Sequence, residues 1–462
     1  MKDMKGLAGD LGRYLLVTIG PVGAAVSQFA LSLVLLRFVD PATFGTFSFL
    51  LTASQFSLGI SSALFGAVLP VVLADEDPTS RRKLGGCLFA TNLAAACVAA
   101  AIFFALACTL GVSLTEAGLF AAYAAVALIR WFARSHAYAT GRELKTTASD
   151  IVYSVIVLVG IAMALLDRHV GLDIACATLL AGALAGIFPF GRGYLAQQFI
   201  HVRGRHLALY ARIWRRHAGW AFLGVLTTEA TANAHVYIVT LIYGPLGFAP
   251  IAATALFIRP VGVAMNTLTD YERGRMARQI ADDRIDLVKN SRRFLRLILI
   301  LAWLATALAV ALLVLYAPDA LFSSHYSGPV VVTGAALWLA VAAIRVLRTP
   351  EGTLLQAAGA FRPLAIASIL SSGVSITAVL VLVIVDGPLW SIAGILAGEL
   401  VIAGWIWRQA RRWPVARDAQ AGTSQSWDAR LTGIGPTAVV RGASPRQCHQ
   451  SRGAAAARAT AK

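Results

Sequence analysis

Charge is scarce in this chain. Asp, Glu, Lys and Arg make up 14% of its 462 residues and hydrophobic types 58%, whereas charged residues are roughly 25% of an ordinary soluble domain. That deficit excludes a water-soluble globular fold. Cysteine is scarce too. Cys87, Cys97, Cys108, Cys176 and Cys448 form no CxxC pair and have no His at ligand spacing, so neither a disulfide framework nor a metal site is expected. Four of the five sit in or beside apolar runs, where a thiol behaves as a small hydrophobe. No GxxxxGK[ST] loop is present to hold nucleotide phosphates, which argues against an ATP-driven pump. No span carries paired carboxylates and no nucleophile elbow occurs, so no catalytic residue and no enzyme class is assigned. Alternating segments of about ten residues, the mark of a membrane β-barrel, are lacking as well.

What the chain does have is apolar runs of the length a bilayer demands, about 20 residues per helix. Twelve spans are expected, near 14–36, 44–74, 84–111, 115–134, 148–166, 171–190, 217–242, 245–269, 294–316, 328–347, 363–385 and 389–409. The fold class is therefore all-α and polytopic. The opening "MKDMKGLAGDLGRYLLVTIG" has cations before an apolar run, as a signal peptide does, but that run exceeds 20 residues and leads straight into another span; it is read as a retained first helix. Spans two and three are long, and Pro70 and Gly85-Gly86 are the natural places for a break. Gly20-Pro21 and Pro189 are expected to bend or loosen spans one and six.

The net charge of +17 does not mark a nucleic-acid binder, because the cations lie between the apolar runs and on the tail. One set of connections holds Lys2, Lys5 and Arg13, then Arg81 to Lys83, Arg142 and Lys145, Arg192 to Arg216, and Arg273 to Arg293; the alternate set holds little beyond Arg37 and Arg168. By the positive-inside rule both termini are cytoplasmic. The basic connection 201–216 separates an N-terminal lobe of six spans (1–200) from a C-terminal lobe of six (217–409), a layout typical of transporters built from internal repeats. The first hairpin of each half carries Pro then Gly, as Asp40-Pro41…Gly45 and as Gly244-Pro245-Leu246-Gly247. Residues 410–462 lack apolar periodicity and are expected to be disordered.

The hairpin residues Arg37, Pro41, Phe44, Gly45 and Phe47 resemble those of the polysaccharide-exporter branch of the MATE-like flippase superfamily. The stretches "NAHVYIVTLIYGPLGFAPIAATALFIRP" (233–260) and "QAAGAFRPLAIASI" (356–369) are similar to that branch too. The likeness runs over residues 10 to 410 and lies in layout more than in strict motifs; where relatives often carry an acidic residue after the Asn of span seven, this chain has His235. The resemblance implies two six-helix lobes around a V-shaped central cavity, in the cytoplasmic (inner) membrane of a bacterium. It implies a flippase that carries polyprenyl-diphosphate-linked oligosaccharide to the outer leaflet by alternating access, for exopolysaccharide, O-antigen or capsule synthesis. Polysaccharide polymerase and export proteins are the implied partners, with membrane lipid around the spans and no cofactor beyond coupling to H⁺ or Na⁺.

Ionisable groups inside spans are the informative candidates, since each costs about 2.5–3.5 kcal/mol at a helix centre on insertion scales. Arg259, well inside span eight before Pro260, offers a diphosphate bidentate geometry; the competing reading has it snorkel to the interface or pair with Glu229 or Glu272. Arg345 and Arg348 share one helix face, with Glu351 one step on. They either extend the cationic path or anchor the cytoplasmic end. The same two readings apply to Arg130, with Arg134 four residues on and Trp131 beside it as a candidate interfacial anchor; Arg37, at the far end of span one, either meets the substrate on the outer side or snorkels there. Glu229, with Asn233 and His235 close by, is suited either to ion coupling or to a structural helix–helix hydrogen bond. Gln28 and Asn92 are expected to hydrogen bond between helices.

Two other functions compete. A cation-coupled multidrug exporter would want acidic residues in its cavity. A membrane glycosyltransferase would want a large outer loop, whereas the longest here, "APDALFSSHYS" (317–327), is short.

Overall fold

The computed structural model describes residues 2–66, 69, 78–200, 210–211, 214–215, 219–316 and 326–432. Regular structure among them is entirely helical. Met1–Ala410 form one compact unit, holding both expected six-span sets together, and Arg411–Lys462 form a second. The helices are α1 (Lys2–Phe38), α2 (Pro41–Ser61), α3 (Pro78–Thr109), α4 (Leu114–Ala139), α5 (Glu143–Leu166), α6 (Leu172–Ala185), α7 (Arg192–Ile200), α8 (Gly219–Ala255), α9 (Arg259–Ala281), α10 (Ile285–Tyr316), α11 (Gly328–Ala357), α12 (Phe361–Val385) and α13 (Ser391–Thr432).

Eleven of the described helical stretches are long and apolar enough to cross a membrane, and one of these, Ala232–Ile280, is 49 residues. That stretch is not a single crossing. Gly244 sits inside α8 at φ 69°, ψ −178°, backbone that glycine adopts without a Cβ penalty. His235 and Phe248 would lie about 20 Å apart along a straight helix, yet their ring centroids are 6.3 Å apart. The chain therefore folds back at Gly244, with Pro245 opening the return arm. The crossings among the described residues are thus twelve, and the protein is a multi-pass membrane protein.

Two of the expected breaks do not interrupt their helices, while Pro189 falls where span six loosens. Gly85 and Gly86 lie inside uninterrupted α3, and α1 runs through Pro21. Pro189 lies in the 3₁₀ turn Phe188–Phe190 that follows α6. Span two instead widens into a π turn over Ser62–Gly66, where part-buried Trp131 donates to Ser62 Oγ at 2.5 Å. Pro70, most of the 201–216 connection and the outer loop to residue 325 lie outside the described residues. The tail expected to be disordered from 410 is helical as far as Thr432, and residues 433–462 lie outside the description.

The first hairpin shows how the sequence stops and restarts a helix. Asp40 adopts extended backbone and its carboxylate accepts from the N–H of Ala42 and Thr43 at 3.0 and 3.1 Å and from Thr43 Oγ1 at 2.5 Å. Pro41 takes the first helical position, where its missing N–H is no loss. Partial burial works against the Asp40 charge, but the hydrogen bonds from Thr43 and Ala42 outweigh it and hold the carboxyl below its usual range. Its stabilising contribution is thus complete above the unfolded-state value and lost as pH falls through the lowered folded one. Asp40→Ala is expected to destabilise the protein by about 1 kcal/mol at neutral pH. Melting curves taken from pH 7 to pH 3 check this: the gap between wild type and variant should narrow toward the acid end, and a pH-independent gap would refute the cap.

The two halves meet mainly where α2 lies antiparallel along α8. A Cβ on Gly45 would fall 2.0 Å from the Pro245 carbonyl oxygen. Phe49 and Phe56 pack edgewise on Tyr237, with centroids at 6.0 and 6.4 Å, and a Cβ on Gly59 would sit 3.3 Å from Val225 Cγ1. The paired Pro–Gly turns noticed in the sequence thus touch each other. In the N-terminal half α1 packs along α5, with Gly20 seated so closely that a Cβ there would lie 3.0 Å from Asp150 Cβ.

Candidate functional site: a cavity between the halves

Between the halves lies a cavity of about 1030 Å³. Its two faces differ in chemistry. The N-terminal face, from α1 and α2, offers the hydroxyls and amides of Gln28, Ser32, Ser48, Thr52 and Gln55 and no ionisable side chain. The C-terminal face, from α8, α9 and α11, brings Asn233, His235, Arg259, Asn266, Trp338 and Arg345. No carboxylate lines the cavity among the described residues.

Arg259 owes its position to a break in the helix. The return arm of α8 ends in a 3₁₀ turn, Leu256–Ile258, and α9 starts at Arg259 with Pro260 next. The guanidinium Nη1 reaches across the cavity to Ser32 Oγ at 3.4 Å. Among the described residues no carboxylate lies within ion-pair distance of it: Glu272 pairs with Arg275 at 3.1 Å, and Glu229 accepts from Tyr237 Oη at 3.0 Å.

Arg345 and Arg348 do share a helix face, but the acid between them is Glu399 of α13 rather than Glu351. Arg345 Nε donates to Glu399 Oε1 at 2.7 Å and Arg348 Nε to Oε2 at 2.9 Å. Glu351 pairs with Arg296 of α10 instead. Both arginines use Nε, so the terminal nitrogens are not taken up by Glu399, and Arg345 Nη2 is buried with no partner. Arg345 lines the cavity and Arg348 does not.

Arg130 and Arg134 form a matching triad in the other half. Arg130 donates to Asp150 Oδ1 at 2.5 Å and to Ser149 Oγ at 3.0 Å, while Arg134 reaches Asp150 Oδ2 at 2.9 Å. The Arg130 guanidinium also lies 4.6 Å from the Tyr153 ring centroid. Neither this triad nor exposed Arg37, in the last turn of α1, lines the cavity.

His235 and Glu229 do not form a pair. The His235 ring packs on Trp338 at 5.5 Å, its Nδ1 unpartnered, and Trp338 is held by a hydrogen bond to the Ile251 carbonyl at 3.2 Å. Glu229 is half-buried and faces Tyr237 and Asn233. The two most deeply buried carboxylates among the described residues are Asp150 and Glu399, at 0% and 1% exposure, and neither was singled out from the sequence. Glu399 had a signal: it is a lone acid inside an apolar run, subject to the same insertion cost that drew attention to the arginines. The expected interhelical roles of Gln28 and Asn92 are seen, Gln28 with Tyr153 at 2.9 Å and Asn92 with Ser61 at 3.5 Å.

No family model matches the chain, and no curated protein matches it. Solved structures do. The chain is similar to an inward-facing multidrug resistance MATE family transporter of the MOP superfamily, with TM-score 0.63 and 14% identity over 87% of this chain and 96% of that one. An outward-facing structure described in the same terms gives TM-score 0.56 at 14% identity over 87% and 94%. A MOP superfamily transporter from Pyrococcus furiosus gives 0.55 at 14% identity over the same shares. At this identity the likeness shows the fold: an all-helical MATE-type arrangement of two six-helix sets.

Proposed function

We propose that the protein is an alternating-access transporter that flips a polyprenyl-diphosphate-linked oligosaccharide between membrane leaflets. The observation that carries this reading is Arg259, a cation open to a cavity between the halves with no carboxylate to neutralise it among the described residues. A guanidinium in that setting is matched to a diphosphate. Arg345, oriented by Glu399, supplies a second cation on the same face. The polyprenyl tail stays in lipid, and the product passes to polysaccharide polymerase and export proteins on the far side. The setting is a bacterial inner membrane with both termini cytoplasmic.

The seam at Gly45 and Pro245 closes the outer end of the cavity, in keeping with the greater likeness to the inward-facing structure than to the outward-facing one. Glu229, held by Tyr237 and Asn233, is the carboxylate best placed to couple the cycle to H⁺ or Na⁺. The multidrug reading takes support from the names of the similar structures but meets a cavity without acidic lining. The Pyrococcus furiosus transporter is itself described by a binding pocket of reverse polarity that suggests a different function.

Deleting the gene in its host and locating lipid-linked oligosaccharides by leaflet tests the proposal. Accumulation on the cytoplasmic leaflet is expected, reversed by wild type and at least tenfold less well by Arg259→Ala. That factor corresponds to the roughly 1.5–3 kcal/mol typical of a hydrogen bond to a charged group. Normal lipid-linked sugars with altered resistance to cationic drugs would replace this reading with multidrug export.

A further inference from the structure

We infer that the N-terminal face of the cavity is a sugar subsite, in which Gln55 reads the hydroxyls of an uncharged hexose joined to the diphosphate. The inference rests on the flippase reading and adds a division of labour to it: the C-terminal half grips charge and the N-terminal half reads hydroxyls.

The division follows from what each face contains. A surface with no ionisable group cannot neutralise a phosphate or an ammonium, whereas its amides and hydroxyls match the donors and acceptors of a polyhydroxyl ligand. Gln55 is exposed to the cavity, and its orientation is fixed. Gln28 Nε2 donates to Tyr153 Oη at 2.9 Å, which turns Gln28 Oε1 toward α2, and Gln55 Nε2 donates to that oxygen at 3.2 Å. One amide hydrogen and the carbonyl oxygen of Gln55 remain, a donor and an acceptor side by side, as a pair of vicinal hydroxyls requires.

The chain of support extends further back. Tyr153 is 2% exposed and lies under the Arg130 guanidinium, which Asp150 and Ser149 hold in turn. The buried triad of the N-terminal half, which does not line the cavity, thereby becomes the base on which the amide pair is set. Pre-oriented polar groups of this kind discriminate well because a ligand lacking the matching hydroxyls leaves them unpaired. Gln55 is the specificity residue; Gln28 and Tyr153 are positioning residues.

The test uses the full chain in nanodiscs and two probes, a prenyl diphosphate and the same lipid bearing one hexose. Wild type should bind the hexose-bearing probe more tightly. Gln55→Leu should shrink that gap about three- to tenfold, with a smaller change in affinity for the bare prenyl diphosphate. Tyr153→Phe should shrink it less, through loss of the Gln28 anchor. Arg259→Ala should weaken both probes equally and keep the gap. Equal weakening of both probes by Gln55→Leu, or no gap in wild type, overturns the subsite while the flippase reading stands. Failure of wild type to bind either probe overturns both.

Discussion

Replacing Glu399 by Ala is expected to destabilise the protein by about 3–5 kcal/mol. Glu399 is 1% exposed and is the shared acceptor of two guanidiniums three residues apart on α11. Without it those two cations, each about a fifth exposed, lose the acid they share, and like charges at that spacing repel. Adding Arg348→Leu to the Glu399→Ala background should recover part of the loss, because one of the stranded charges goes with it. The double-mutant cycle, read from unfolding in mixed micelles, should give a coupling energy well above 0.5 kcal/mol. Additive costs would show that Glu399 is not what holds the pair.

Gly45→Val should force the α2–α8 seam apart. Its Cβ would fall 2.0 Å from the Pro245 carbonyl oxygen, and backbone cannot turn aside as a flexible side chain can. Overpacking in a well-packed interface costs about 1–3 kcal/mol, enough to shift a two-state closure by up to about a hundredfold. Spin labels at Thr43 and Leu246, on the two turns, would report it as a distance distribution moved to longer values than in wild type. Gly59→Ala is the control: its Cβ meets only Val225 Cγ1, at 3.3 Å, and the distribution should be near that of wild type. A Gly45→Val distribution that matches wild type would show that the seam is not held by this contact.

The spans and the count of twelve were legible because a bilayer imposes a length and a polarity that a single sequence displays directly. The turn at Gly244 was legible as Gly-Pro, and the contact between the two hairpins was foreshadowed by their shared Pro–Gly spacing. Arg259 was visible as a charge where charge is expensive. What could not be read was partnership. Arg345 and Arg348 find their acid 54 and 51 residues along the chain, in another helix, and no local pattern joins "AAIRVLRTPEG" to "AGELVIAG". Asp150 sits at the polar edge of its span, in "TTASD", where a carboxylate looks like a loop residue. Its burial comes from α1, which presses Gly20 against it from more than a hundred positions away. Helix spacing reveals which residues share a face, but tertiary packing decides what that face meets.

With no carboxylate at ion-pair distance among the described residues, the Arg259 guanidinium would have an electrical consequence in the proposed cycle. In an energised membrane, any stroke that carries α9 along the bilayer normal moves a net charge through the field, with about 2.3 kcal/mol of work per 100 mV for a full crossing. In the proposed cycle a dianionic headgroup would lower the net charge at that point by two, so the field would act differently on the empty and the loaded halves of the cycle. On the proposed flippase reading, this arginine would give the membrane potential a grip on the direction of the cycle.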